Sequence, residues 1–295
     1  MNTTRLGYAC LNTELEGFKT IMLKKYKTLS SEQQFEVLQL KTRQNFNNLY
    51  KIIKWNVKNN IKLYRVSSNL CPLYTHELCK YNFLNDNCII NLCEKIKCLA
   101  LENNIRLTIH PSQYVVVNSV KDEVFKNAIK ELQYHYELMQ LLNIDTLCLH
   151  VGGKVNGIQE GQKRFIDNFY KLPKHLQNII CLENDDKSFN VKNTLEICEQ
   201  LNIPMIIDLH HDRCLPSNNN FEYYLDRIIK TWEDKIPKCH LSSGKESDID
   251  RKHAESICEK DFVYFYNIMN NKFDMMFECK NKEQSVLNFM SYIDK

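Results

Sequence analysis

Apolar and polar positions along this chain alternate between two periods. Short apolar runs recur at Arg5–Cys10, Leu63–Ser68, Arg106–His110, Thr146–Val151, Ile179–Glu183, Pro204–Leu209, Lys238–Leu241 and Phe273–Glu278. Their length and their bounding turn residues predict buried strands. Between them the apolar spacing switches to three and four. Glu32–Asn59 places Phe35, Leu38, Phe46, Leu49, Ile52, Ile53 and Val57 at helical intervals. Asn87–Glu102, Glu123–Leu142, Gln162–Tyr170, Val191–Leu201, Phe221–Trp232, His253–Met269 and Glu283–Ile293 carry the same periodicity. Asn103-Asn104, Asn143, Pro173, Asn202-Ile203-Pro204 and Asn270-Asn271 punctuate the pattern as turns.

Strand followed by helix, eight times over, gives units of roughly 37 residues, the scale of a (β/α)8 barrel. An open doubly wound sheet would carry a glycine-rich turn after its first strand. Tyr8–Leu15 has no such motif. No linker or low-complexity tract interrupts the pattern, so residues 1–295 read as one α/β TIM-barrel domain.

Composition narrows the class without changing the fold. The chain is 43% hydrophobic and 25% charged with a net charge of +3, which excludes wholesale disorder. That charge permits a nucleic-acid partner but does not argue for one. No run approaches the ~18 consecutive apolar residues of a membrane span. Met1 to Tyr8 lacks the basic-then-apolar pattern of a secretory leader. Thirteen cysteines with no CxxC pair, several inside strand runs, predict reduced buried thiols and an intracellular setting. Most read as small core hydrophobes. No long apolar surface run is evident, which favours a monomer. Glycine is scarce at seven residues, and Gly152, Gly153, Gly157 and Gly161 cluster after one strand. Such a cluster suits either a flexible loop or one that must approach a ligand closely.

In a barrel the chemistry sits at the C-terminal ends of the strands. Reading those ends gives Tyr8 and Asn12, His110, His150, Glu183, Asp208 with His210 and His211, Lys238 with His240, and Glu278; His253 follows. A lone histidine at a strand end is more often a satisfied structural group than a ligand. Four histidines and three carboxylates on one rim are harder to explain that way. Imidazoles and carboxylates together suit Mn(II), Zn(II) or Fe(II). The set is too large for one ion, and two or three ions would clamp both oxygens of a phosphoryl transfer. Lys238 shares a face with His240, and an ammonium there would repel cations. It either pairs with a carboxylate or has lost its charge, for instance by carboxylation. His110-Pro111-Ser112-Gln113-Tyr114 sets an amide and an aromatic on the loop after the third strand, where they could probe and stack on a base. Arg65 and Arg106 read as structural residues at the opposite rim.

With these residues in place the chain resembles the UV damage endonuclease family. The resemblance rests on Arg5-Leu6-Gly7-Tyr8-Ala9-Cys10-Leu11-Asn12, Tyr64-Arg65-Val66-Ser67-Ser68, His110-Pro111-Ser112-Gln113-Tyr114 and Leu149-His150-Val151-Gly152-Gly153-Lys154. It continues through Leu182-Glu183-Asn184-Asp185, Asp208-Leu209-His210-His211, Lys238-Cys239-His240-Leu241-Ser242, His253 and Phe277-Glu278-Cys279-Lys280. It implies a TIM barrel related to the endonuclease-IV-type enzymes and a site of three divalent ions, usually manganese, with zinc or magnesium as alternatives. By position, His110, His150 and Glu183 would hold one ion. Glu183, Asp208, His240 and Glu278 would hold a second, and His211 with His253 a third. Glu183, Lys238 and Glu278 would be catalytic, with Lys238 at the position of a carboxylated lysine. Gln113 and Tyr114 match a pair that wedges into damaged duplex DNA, and Tyr8 and Asn12 match residues lining the lesion pocket. His76 matches a further histidine only loosely. The implied reaction is a nick immediately 5′ of a UV photoproduct. A one-metal sugar isomerase could use Glu183, Asp208, His240 and Glu278 alone, but would not need the other histidines. A silent damage-binding module would need no ligand set at all.

Overall fold

Eight four- or five-residue strands close into one parallel barrel in chain order. They are β1 (Leu6–Ala9), β2 (Leu63–Val66), β3 (Arg106–Ile109), β4 (Thr146–His150), β5 (Ile180–Glu183), β6 (Met205–Asp208), β7 (Lys238–Leu241) and β8 (Asp274–Phe277). The computed structural model describes residues 4–269 and 272–293, so the Asn270-Asn271 turn lies outside the described residues. Each strand falls inside its predicted run.

The helices follow the prediction where the apolar period is long and depart from it where it is short. Ser31–Lys58, Asn87–Glu102 and Val191–Leu201 match closely. Ser30 and Gln33 close a capping box at the first of these. The expected helix from His253 begins only at Glu259. The last predicted helix breaks into Lys282–Leu287 and Met290–Ile293. A six-residue helix, Leu209–Cys214, springs directly from β6 and takes Leu209 out of the strand. Asp208 explains it, because its Oδ1 accepts the His211 amide at 2.7 Å and caps the turn.

Strand alternation sorts the interior into two compartments. Tyr8 belongs to the main core between strands and helices. Its hydroxyl donates to Asn56 on the Ser31–Lys58 helix at 2.8 Å. Gly7 and Ala9 therefore face into the barrel. Two small clusters separate from the main core fill that inside: Cys148, Cys181, Ile206 and Trp232, and Ala9, Leu63 and Met276. Beneath them, Asp274 accepts from Arg5 (3.1 Å) and Arg106 (2.9 Å), and Arg106 also pairs with Asp145 at 2.8 Å. Arg106 is thus structural, as its position at the strand start suggests.

Outside the barrel, Asp86 joins two helices. It caps Asn87–Glu102 through the Cys88 amide (3.0 Å), accepts two bonds from Arg43 (2.8 and 3.1 Å) and one from Tyr81 (2.9 Å). Burial works to raise its carboxyl, but these partners, Arg43 foremost, hold it below the usual range. Its stabilising effect is complete above the unfolded-state pKa and is lost as pH falls through the lower folded value. Asp86→Ala should cost about 2 kcal/mol in urea unfolding at neutral pH. The difference between the two proteins should shrink below about pH 4. A gap independent of pH would contradict the ionic part of this account.

All thirteen cysteines are free. Cys148, Cys181, Cys198 and Cys239 are buried as expected, whereas Cys88, Cys98 and Cys258 are exposed and are not core residues. Among the described residues no helix is long and apolar enough to cross a membrane. The glycine cluster serves internal packing at two positions. A Cβ on Gly152 (φ +108°) would meet Asn118 Oδ1 at 2.3 Å, and one on Gly161 would meet Phe189 at 2.7 Å. Gly153 and Gly157 face open space.

Candidate metal centre

Glu183, the last residue of β5, is 1% exposed and sits at the middle of the barrel mouth. Imidazoles from four segments surround its two oxygens. His110 Nε2 lies 3.1 Å and His150 Nε2 3.9 Å from Oε2, while His240 Nδ1 lies 2.9 Å and His211 Nδ1 3.5 Å from Oε1. His240 Nδ1 also comes within 3.2 Å of Glu278, and His211 Nδ1 within 3.8 Å of Asp208. Four overlapping groups have donor atoms all within 4.8 Å of one another: His110/His150/Glu183, Glu183/Asp208/His211, Asp208/His240/Glu278 and Cys148/Glu183/His240.

The local fold prepares several of these groups as ligands. Pro111 O takes the Nδ1 proton of His110 (2.8 Å), which directs Nε2 inward. Asn184 holds two neighbours at once. Its side chain exchanges a pair of 2.9 Å bonds with the Asp208 backbone, and its carbonyl lies 3.0 Å from His211 Nδ1. Asp208 spends Oδ1 on its helix cap and leaves Oδ2 buried without a hydrogen bond, 3.8 Å from His211 Nδ1. His240 Nε2, His150 Nδ1 and Lys238 Nζ are buried and unpartnered as well. Orphaned buried donors and acceptors are costly. The donor groups gathered around Glu183, with these orphans among them, fit divalent cations bound by mixed nitrogen and oxygen donors.

The charges are mutually dependent. Burial alone would raise Glu183, but His240, His150 and His110 hold it well below the carboxylate range. Burial pushes His110 down to about 4 despite the adjacent Glu183, and lowers His240 too. His211 goes the other way: burial opposes its charge, yet Asp208 and Glu183 raise it to about 9. Asp208 is raised by burial and by the carboxylates of Glu183 and Glu278. Lys238 is fully buried, and burial lowers it.

The remaining predicted residues lie apart from this cluster. Gln113 and Tyr114 are exposed, Tyr114 at 79%. Tyr114 forms part of the wall of a cavity of about 640 Å3 between the loops after β2 and β3. Tyr8, expected to line a lesion pocket, has no exposed surface, because alternation turns it outward to Asn56. Asn12 is also buried and donates to the Tyr8 hydroxyl at 3.0 Å. His253 joins none of the donor groups among the described residues, and its ring lies 5.9 Å from that of His210. His76 likewise joins none and accepts from the Leu78 amide at 3.1 Å.

Three residues at the centre carried no such role in the sequence. Arg65 is not a far-rim residue: it ion-pairs with Glu278, and this pairing with His240 holds the carboxyl low against the effect of burial. Cys148 Sγ donates to Glu183 Oε2 at 3.0 Å. Its spacing of two from His150 was the available signal. Asn184 adjoins Glu183 but has no signal of its own.

A parallel barrel with imidazoles and carboxylates gathered at its C-terminal mouth is the build of a TIM-barrel enzyme with a candidate metal centre. Residues 4–295 match the family described as UV-endonuclease UvdE. A UV DNA damage endonuclease of Bacillus thuringiensis subsp. konkukian (strain 97-27) is 33% identical over 280 residues, covering 92% of this chain and 88% of the relative. One from Bacillus mycoides (strain KBAB4) is 32% identical over 297 residues, covering 97% and 93%. The crystal structure of SacUVDE superimposes with a TM-score of 0.88 at 34% identity, covering 99% of this chain and 98% of that one. Endonuclease IV from Thermus thermophilus shares the fold, with a TM-score of 0.60 at 12% identity over 98% and 97% of the two chains. The chain belongs to the UV-endonuclease UvdE family and is a DNA repair endonuclease.

Proposed function

We propose that this endonuclease hydrolyses one phosphodiester immediately 5′ of a UV photoproduct in duplex DNA, leaving a 3′-hydroxyl and a 5′-phosphate. Cyclobutane dimers, 6-4 products and abasic sites are the substrates, because a weakly stacked site costs least to extrude. The carrying observation is Glu183, ringed by four imidazoles with unpartnered donors beside it. His110, His150, Glu183, Asp208, His211, His240 and Glu278 would hold divalent ions, three in number and manganese by preference, with His253 completing the third site. Bound there, the ions supply Lewis-acid stabilisation of the charge that develops in phosphoryl transfer.

The chain's own residues do the rest. Glu183 would be a ligand shared among the ions, and Arg65 anchors Glu278. The buried Nζ of Lys238, which makes no hydrogen bond, loses its ammonium proton, forms an N–C bond to carbon dioxide and releases a second proton to leave a carbamate. This replaces a repelled cation by a further oxygen donor. Gln113 and Tyr114 insert beside the lesion from an exposed loop. Asn12 and the Tyr8 hydroxyl, bonded to each other, brace the turn after β1 against the Ser31–Lys58 helix instead of lining the lesion pocket.

The test is an incision assay on a duplex carrying one defined cyclobutane dimer, with Mn(II) present or chelated and an undamaged duplex alongside. A single metal-dependent nick 5′ of the dimer is expected. An intact dimer substrate with cleavage of abasic DNA would reassign the substrate. In the same assay Tyr114→Ala should weaken damaged-duplex binding roughly tenfold to a hundredfold, the loss of one stacked base. Unchanged binding would remove the wedge from the proposal.

A further inference from the structure

Cys148 is a buried thiol in the inner lining of the barrel, two residues before His150 and so one layer below the ligand-bearing strand ends. Its Sγ lies 3.0 Å from Glu183 Oε2. Cys148, Glu183 and His240 bring a sulfur, an oxygen and a nitrogen within 4.8 Å of one another, all three residues buried. Two more features border the same space. His240 turns Nδ1 to Glu183 at 2.9 Å, and Lys238, 0% exposed and acted on by both Cys148 and Glu183, leaves Nζ without a hydrogen bond. A thiol that only filled volume would not need to stand against the carboxylate that the other ligands share. Cys181, its register partner on β5, is an inner-lining thiol with no such contact among the hydrogen bonds of the described residues.

We propose that Cys148 is a metal ligand, forming with Glu183 and His240 an inner subsite that favours a thiophilic divalent ion such as zinc or cobalt, while the positions made only of nitrogen and oxygen donors keep the manganese preference given above. This rests on the metal reading of the centre given above. Sulfur is a soft donor and prefers Zn(II) and Co(II), whereas an all nitrogen and oxygen set discriminates weakly. Coordination forms one metal–sulfur bond and releases the thiol proton to solvent.

The test titrates Co(II) into the full chain stripped of metal by a chelator. Visible d–d absorption reports binding of any kind, and near-ultraviolet sulfur-to-cobalt charge transfer reports the thiol. Wild type and Cys181→Val should show both signals, and Cys148→Val only the first. The preference for Zn(II) over Mn(II) should fall by roughly tenfold or more in Cys148→Val. X-ray absorption of the zinc-loaded wild type needs no variant and should find a sulfur neighbour at ~2.3 Å. Visible bands without charge transfer, or only nitrogen and oxygen neighbours, would overturn the role of Cys148 and leave the centre intact. Absence of both signals would instead overturn the metal centre itself.

Discussion

Glu183→Gln should lower incision of a dimer-containing duplex on the order of a thousandfold or more, since in the proposed reaction several kcal/mol of transition-state stabilisation would come from the ions it holds. The reason is positional. Glu183 is the residue common to three of the four donor groups, and its oxygens face four imidazoles. Glutamine keeps the shape and removes the charge. Bound metal, measured by elemental analysis of the purified protein, should fall together with activity. Circular dichroism should remain that of the wild type, because a neutral amide relieves burial of a charge instead of adding a clash. Near-normal incision with full metal content would refute the assignment of Glu183.

Gly7→Ala should destabilise the barrel by about 3 kcal/mol or more, the upper range for overpacking. A Cβ at this position would meet the Leu63 carbonyl oxygen at 2.0 Å and its carbon at 2.5 Å. These are backbone atoms of β2, the strand that Gly7 pairs with, so no side-chain rotation relieves the contact. Gly7 also pairs with Met276 of β8. The clash therefore falls between β1 and β2, on the strand that also closes the barrel against β8. Urea unfolding would read the loss as a lower midpoint, and a loss below about 1 kcal/mol would show that the strands can separate cheaply.

Much of this was legible in the chain because the barrel repeats one unit and places its chemistry by rule. His110, His150, Glu183, Asp208 and His240 were found from strand ends alone, and the structure brings them together. Arg65 was misplaced for a physical reason. In a four-residue strand the third position is already near the mouth, and a long guanidinium spans the remaining distance to Glu278. Cys148 was read by composition, as a small apolar filler. It is one, but its parity with His150 also aims it at Glu183. Tyr8 was read as a strand end, although one step of alternation turns it to the helical layer. The helix read from His253 starts only at Glu259, because His253 is held in a bridge to Gly244 that no periodicity signals.

The clasp of Arg5 onto Asp274 joins residues 269 apart in sequence. A ring closed this late cannot be assembled piecemeal. While the nascent chain still lacks β8, both β1 and β7 present open edges able to pair with other chains. A message truncated anywhere before Phe277 would thus yield sticky, aggregation-prone fragments in place of a weakened enzyme. It would also lack Glu278 and its place beside Arg65 and His240. Closure of the ring and assembly of the candidate metal centre are one event, so this architecture tolerates early termination poorly and gives quality control a clear target.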